Sequence, residues 1–339
     1  MPDFEIDPDI RRARTLPSRF FTDERYFELS KEKIFARTWQ FVCRRDEIES
    51  LKPVTLLPGF LDEPLLLSRR GEDIACLSNV CTHRGKILVE RPCSANLIRC
   101  GYHGRRFGLD GKFLSMPEFE DVDEFPAPED DLYHCALAEI EGFLFTSLNP
   151  ATAFEEVVAS VDHLFAAGTA SQLRLSGTRI YEVQAHWALY CENYLEGFHI
   201  PYVHRSLNEV VDYGTYTTET FRFASVQTGY GADGEKAGVY VFIFPNIMFN
   251  FYPWGVSVNV VRPLSPAKTT IEFLTYIGDE TKLNEGAGAD LHGVEMEDEA
   301  VVESVQRGIS SRFYDRGRYS PTREQGTHHF HRLIAEFMG

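Results

Sequence analysis

Four residues in the first half of the chain have the types and spacing of metal ligands. Cys81 and His83 form one arm, C-T-H, and Cys100 and His103 form a second, C-G-Y-H, sixteen residues further on. Each arm offers one thiolate and one imidazole, whereas zinc fingers commonly pair cysteines in one arm and histidines in the other. Mixed arms suit a [2Fe-2S] cluster with two thiolates on one iron and two imidazoles on the other. The potential of such a cluster, about −150 to +300 mV, lies above that of a plant-type four-thiolate cluster. Gly85, Gly101 and Gly104 flank the arms and let the backbone approach a bound group closely. A zinc site and two unrelated Cys–His pairs are the alternatives.

A second constellation lies in CENYLEGFHIPYVH, residues 191–204, where Glu192, Glu196, His199 and His204 sit among large apolar side chains. The pattern predicts a helix over residues 187–199 with Glu192, Glu196 and His199 on one face, at i, i+4 and i+7. Pro201 predicts its end near Ile200, and a turn then brings His204 beside His199. Two imidazoles and one carboxylate make the facial set of non-haem Fe(II), with positions left open for oxygen. The carboxylate is sought in VEMEDEAVVESVQRG, residues 294–308. There Asp298 heads an apolar stripe with Val301, Val302 and Val305, while Glu295, Glu299 and Glu303 fall off it and are expected to be solvated. A lone acid on a buried face is costly unless paired or metal-bound. An ion pair with Arg262 or Arg307 is the alternative to a metal.

Positioning these groups takes two kinds of structure. From Trp39 to about Asn149 the chain reads as short strands around the turns Arg70-Gly71, Asp110-Gly111 and Glu141-Gly142, a small antiparallel β domain. Before it, a helix is expected from Thr22-Asp23-Glu24 to about Arg37. Asn149-Pro150 marks a boundary. Beyond it a helix is expected over Phe154–Leu164 and a strand over Thr178–Gln184. A meander follows, with strands Phe221–Gln227, Val239–Phe244, Ile247–Tyr252, Gly255–Arg262 and Thr270–Ile277. Helices at about Val294–Arg307 and Arg323–Phe337 close the chain. The fold class is α+β. Small-residue loops are expected at Gly231–Gly238 and Glu285–Gly293.

Composition bounds the function. The formal net charge of −17 makes nucleic acid and anionic lipid poor partners. No apolar run of membrane-spanning length and no secretion signal is present, so a cytoplasmic location is expected. Seven cysteines, an odd count in a long chain, argue against a disulfide framework.

NVCTHRG, CGYHG, FGLDG, ENYLEGFHIPYVH and EDEAVVESVQRG, in this order along nearly the whole chain, resemble the Rieske non-haem iron oxygenases. The resemblance implies an N-terminal helical segment (1–38), a Rieske [2Fe-2S] domain (39–150) and a helix-grip, START-like catalytic domain (151–339) with a curved antiparallel sheet and long helices. It implies Cys81, His83, Cys100 and His103 as cluster ligands and His199, His204 and Asp298 as ligands of a mononuclear Fe(II). Asn193 and Glu196 are implied as catalytic, Glu196 as the acid bridging the two centres. The implied partners are O2, a separate NAD(P)H-dependent reductase or ferredoxin, and copies of the chain in a homotrimer. The chain carries Glu196 where most relatives have aspartate, as carnitine-type relatives do, and Arg105 where many have tryptophan. DYGTYTTETF, VQRG, GRYSP and HHFH are most similar to the choline monooxygenase group, which oxidises a carbon beside a quaternary ammonium.

The expected reaction is therefore monooxygenation of a quaternary or tertiary ammonium compound of choline, betaine or carnitine type. Trp254, Tyr194 and Tyr202 are expected to hold it by their ring faces. Alternation along FNFYPWG places Phe249 and Phe251 on one face and Tyr252 and Trp254 on the other. HHFH, residues 328–331, is read as structural or surface histidine. An aromatic-ring hydroxylase or O-demethylase is the alternative enzyme, and a Rieske electron carrier the alternative class.

Overall fold

The computed structural model describes residues 4–166, 173–283 and 291–339. The described residues divide into two compact units, 39–151 on one side and those before 39 with those after 151 on the other. Among them no helix is long and apolar enough to cross a membrane.

The chain opens with helices α1 (Ser18–Thr22) and α2 (Glu24–Lys33), α2 capped by the Asp23 carboxylate, which accepts from Arg25 N. The middle unit holds β1 (Gln40–Arg44), β2 (Leu51–Leu56), β3 (Glu63–Arg70), β4 (Asp73–Ser78), β5 (Ile98–Arg99), β6 (Arg106–Phe107), β7 (Phe113–Ser115), β8 (His134–Ile140) and β9 (Phe143–Ser147). Six of these strands pair in the order β1-β9-β8-β4-β3-β2, and β5-β6-β7 make a small separate sheet. Leu51, Leu66, Leu77, Ile98, Phe107 and Leu132 pack in one apolar cluster that also takes in Cys81 and Cys100. The two cluster-type arms therefore grow out of a rigid core.

The other unit continues with α3 (Phe154–Val158), α4 (Asp162–Phe165), β10 (Arg174–Val183), α5 (Trp187–Tyr194), α6 (Ile200–Val203) and α7 (Arg205–Val210). Then come β11 (Thr217–Thr220), β12 (Ala224–Tyr230), β13 (Lys236–Ile243), β14 (Ile247–Tyr252), β15 (Gly255–Ser265) and β16 (Lys268–Ile277), and last α8 (Leu291–Ile309) and α9 (Gln325–Met338). Seven strands form one antiparallel sheet in the order β10-β16-β15-β14-β13-β12-β11. The α+β expectation holds. Three features differ from expectation. The helix over 154–164 is two short pieces, β11 was not foreseen, and α8 starts at Leu291, inside the expected loop. The rest of that loop, residues 285–290, lies outside the described residues.

Helix α5 is the hub of this unit. Trp187 at its start is fully buried against Phe35 (ring centroids 4.9 Å apart) and Phe330 of α9 (5.8 Å). Phe330 in turn packs on Phe242 (5.5 Å). Helix α9 meets the far end of α5 even more closely, because a Cβ on Gly326 would stand 2.3 Å from the Leu195 carbonyl oxygen. Gly326→Ala should therefore push two helices apart and cost about 1–3 kcal/mol. Gly308→Ala on α8 meets nothing within 4 Å. It should be neutral or stabilising by about 0.5–1 kcal/mol. Calorimetry on the two variants checks this. The first should melt several degrees below wild type and the second at or above it.

Candidate active site

The expected helix over 187–199 is broken, and the break builds the site. Helix α5 stops at Tyr194. The Tyr194 carbonyl accepts from Gln227 Nε2 (2.6 Å), and its hydroxyl donates to Asn250 Oδ1 (2.8 Å), so the helix end is clamped to the sheet. Pro201 does not end a helix. It stands in the first turn of α6, where its missing N–H costs nothing. Between the helices Glu196 folds back, its Oε2 accepting from the backbone N–H groups of Phe198 and His199. Glu192, expected on the same face, is turned the other way and meets His331 Nε2 of α9 at 2.8 Å. His331 is fully buried and His328 contacts the Asp7 carbonyl at 2.8 Å, so these histidines of HHFH are structural.

His199, His204 and Asp298 come together. Nε2 of His199 and Nε2 of His204 are 3.1 Å apart, and Asp298 Oδ1 lies 3.0 Å from the second and 3.4 Å from the first. Cis ligands about 2.1 Å from an ion stand about 3.0 Å apart, so this triangle fits one face of an octahedral metal. The far side of each ring is also fixed. His199 Nδ1 meets Glu196 Oε1 at 2.7 Å, and His204 Nδ1 meets Glu297 Oε2 at 2.8 Å. A carboxylate on Nδ1 holds the proton there and leaves the Nε2 lone pair for a metal. Neither candidate arginine competes for Asp298: its partners are the two histidines, and Arg262 pairs with Glu272. Glu297 was not foreseen, although its place beside Asp298 in EMEDE was the available signal.

The buried face of α8 also differs from expectation. It includes Glu295 and Gln306, whereas Val305 is 43% exposed. Glu295, expected in solvent, is 4% exposed and accepts from Tyr190 Oη at 2.7 Å. Burial pushes its carboxyl up to about 8, partly opposed by the Tyr190 hydrogen bond. Helical spacing alone could not find it, because α5 reaches over α8 to cover that residue.

A cavity of about 110 Å³ opens on the triad. One wall is a polar strip across the sheet. Gln227 pairs with Tyr240, and Tyr240 with Asn250. Tyr252 follows two residues along the same face. Tyr190, Asn193, Tyr194 and Tyr216 close the other side. Burial holds the hydroxyls of Tyr194, Tyr216, Tyr240 and Tyr252 above the usual phenol range, so the rings stay neutral. Two expected substrate rings are elsewhere. Trp254 lies past the end of β14, buried and stacked behind Tyr252 (centroids 5.1 Å, 23° between planes). Tyr202 is 81% exposed, because α6 turns it outward. Of the three, Tyr194 alone lines the cavity. Phe249 and Phe251 face away, against Phe165.

In the other unit the two Cys/His arms are near-copies. Cys81 N donates to Lys86 O (2.9 Å) and Gly85 N to Cys81 O (2.9 Å), while Cys100 N donates to Arg105 O (2.8 Å) and Gly104 N to Cys100 O (3.1 Å). Each turn needs a positive φ four residues after its cysteine, which Gly85 (70°) and Gly104 (76°) supply. The imidazoles face each other, Nδ1 to Nδ1 at 3.2 Å. Among the described residues no three of the four donor atoms gather within 4.8 Å, as a single ion would require. Two separate pairs fit a two-iron cluster better than one zinc ion. Arg105 is buried under this loop, its Nη2 2.5 Å from Asp130 Oδ1 and its guanidinium 4.9 Å from the Phe113 ring centroid.

Two outcomes are expected. His83→Ala should abolish the electron paramagnetic resonance signal of the reduced cluster while mononuclear iron stays. Glu297→Gln should loosen the mononuclear iron about 10–100-fold and leave the cluster colour unchanged, by metal analysis after chelator challenge. An unchanged iron affinity would remove Glu297 from its supporting place.

The Rieske [2Fe-2S] domain family matches residues 38–126, and the ring hydroxylating alpha subunit (catalytic domain) family matches residues 214–339. Choline monooxygenase, chloroplastic, of Arabidopsis thaliana is 32% identical over 97% of this chain and 85% of its own length. The carnitine monooxygenase oxygenase subunit of Escherichia coli (strain K12) is 28% identical over 99% of this chain and 98% of its own. The solved quaternary ammonium Rieske monooxygenase CntA, in complex with L-carnitine, aligns with a TM-score of 0.84 at 25% identity, over 99% of this chain and 100% of that one. Naphthalene 1,2-dioxygenase with bound indole shares the fold, at 17% identity, a TM-score of 0.76 and coverage of 96% and 92%. Both halves of the chain thus agree with one assignment: the chain belongs to the Rieske non-haem iron monooxygenases, the family of the choline and carnitine monooxygenases.

Proposed function

We propose that this monooxygenase hydroxylates a C–H bond of a small quaternary or tertiary ammonium compound in the cavity beside His199, His204 and Asp298. The observation that carries the reading is the wall of neutral tyrosines, Tyr194, Tyr216, Tyr240 and Tyr252, around that cavity. A quaternary ammonium has no N–H to donate, and each ring face can contribute about 0.5–2 kcal/mol to holding it. The curated relatives named for choline and carnitine, and the neighbour bound to L-carnitine, support the same substrate class.

In this reading Cys81, His83, Cys100 and His103 hold the cluster, and His199, His204 and Asp298 hold the mononuclear iron. When bound, these groups store electrons and activate dioxygen. The balance is one C–H, one O2, two electrons and two protons in, and one C–OH and one water out. The chain's own part is positioning. Glu196 and Glu297 fix the two imidazoles, and the clamp of Tyr194 on Asn250 holds the cavity wall against the sheet. Asn193 lines the same cavity and contributes a polar contact to substrate or oxygen.

A separate NAD(P)H-dependent reductase or ferredoxin supplies the electrons. CntA is described with inter-subunit electron transfer. We carry that arrangement over as a homotrimer in which one subunit's cluster serves the next subunit's iron through Glu196. The Glu196 and His199 side chains keep 15% and 17% of their surface exposed, enough for a neighbour to reach them.

The test offers choline, glycine betaine, L-carnitine and the carbon isostere 3,3-dimethylbutan-1-ol to the reductase-coupled enzyme under ¹⁸O2. An ammonium compound should gain one labelled oxygen and bind at least roughly tenfold more tightly than the isostere. Equal binding of the isostere, or turnover of neutral aromatics only, would favour an aromatic hydroxylase or O-demethylase.

A further inference from the structure

A quaternary ammonium enters as a full positive charge, and ring faces alone leave it without a counter-ion. Glu295 can supply one. It lies on α8 three residues before Asp298, about 4.5 Å along the helix axis. It lines the cavity and is 4% exposed. Tyr190 satisfies Oε2, but Oε1 has no hydrogen-bond partner among the described residues. Burial without a partner for Oε1 favours the neutral carboxyl, raised to about 8. A cation beside it supplies the missing partner, so the arriving ammonium is what holds Glu295 ionised.

Beyond the iron that the triad would hold, the described side chains give the cavity no positive group. Among the described residues no lysine or arginine lines it, and the sequence of residues 167–172 and 284–290 contains neither. The amides that face it are partly committed, Gln227 and Asn250 both to Tyr194. A substrate carboxylate held away from the iron, where one borne by the ammonium compound would have to sit, would meet Glu196 and Glu295 with no guanidinium or ammonium to receive it. Like charges at close range in a dry cavity are strongly disfavoured.

Building on the ammonium reading, we propose that Glu295 is the counter-ion of the substrate's ammonium group, and that the site selects cations carrying no carboxylate. Choline fits this description; glycine betaine and carnitine do not. Glu295 is then a specificity-determining residue rather than only an anchor between α5 and α8.

Anaerobic calorimetric titration of the iron-loaded enzyme tests both halves. Wild type should bind choline roughly 30-fold or more tightly than glycine betaine or L-carnitine. Glu295→Gln keeps the side-chain volume and can still accept from Tyr190, but removes the charge. It should weaken choline roughly 30-fold. Binding of 3,3-dimethylbutan-1-ol, iron content and melting temperature should stay as in wild type. Glu295→Asp should retain part of the choline preference, and it replaces the glutamine variant should that one fail to fold. Carnitine or betaine binding as tightly as choline would overturn the exclusion of carboxylates. A choline-to-isostere ratio unchanged in Glu295→Gln would overturn the counter-ion role and leave Glu295 an anchor. If no ammonium compound outbinds the isostere in wild type, the ammonium reading itself fails and takes this proposal with it.

Discussion

Three donor atoms, from His199, His204 and Asp298, point at one another across 3.0–3.4 Å, and the catalytic unit is organised to keep them there. Lone pairs converging on one point repel unless a cation sits between them, so the backbone must hold them by force of packing. Helix α5 ends early because the sheet takes its last carbonyl and its last hydroxyl. The freed segment lets Glu196 cap the backbone and seize His199 from behind. Helix α8 brings Asp298 and, one residue earlier, Glu297 for the second ring. Helix α9 wedges against the break through Gly326. Remove any of these supports and the triangle loses a side before any ligand is changed.

The candidate ligands were legible in the sequence. Cys81, His83, Cys100, His103, His199, His204 and Asp298 stand out because thiolates, imidazoles and acids rarely cluster at such spacings without a metal. The path that brings them together was not legible. A continuous helix over 187–199 is the natural reading of the apolar period. What breaks it is a long-range hydrogen bond from Gln227, which no local pattern announces. Glu295 was assigned to solvent for a similar reason. Its burial depends on Tyr190 arriving from another helix, and a single-helix projection contains no information about that. Trp254 was misplaced by extending strand alternation beyond the strand. The rule holds as far as Tyr252, and Pro253 then turns the chain away.

Alternation also explains how one sheet serves two masters. Phe249 and Phe251 face Phe165 and the apolar interior, while Asn250 and Tyr252 between and after them face the cavity. A strand of six residues thus carries both packing and recognition. In the middle unit a different economy operates. Two arms with different spacing, C-x-H and C-x-x-H, reach nearly the same turn because each places a glycine four residues after its cysteine. The two arms present sulfur to sulfur and nitrogen to nitrogen, which is the sorting that a cluster with inequivalent irons requires. Arg105 beneath them is held by Asp130 and by the rings of Phe107, Phe113 and Phe125, so a cation is packed among aromatic faces there.

The central claim is that one iron belongs to the triangle and a pair of irons to the two arms. Anomalous diffraction from crystals of the purified protein, collected on both sides of the iron and zinc absorption edges, tests it most directly. The account requires an iron peak about 2.1 Å from His199 Nε2, His204 Nε2 and Asp298 Oδ1, and a pair of iron peaks between the Cys81–His83 and Cys100–His103 arms. A zinc signal at the arms, or an iron peak on Glu295 or Glu192 with the triangle empty, would contradict it.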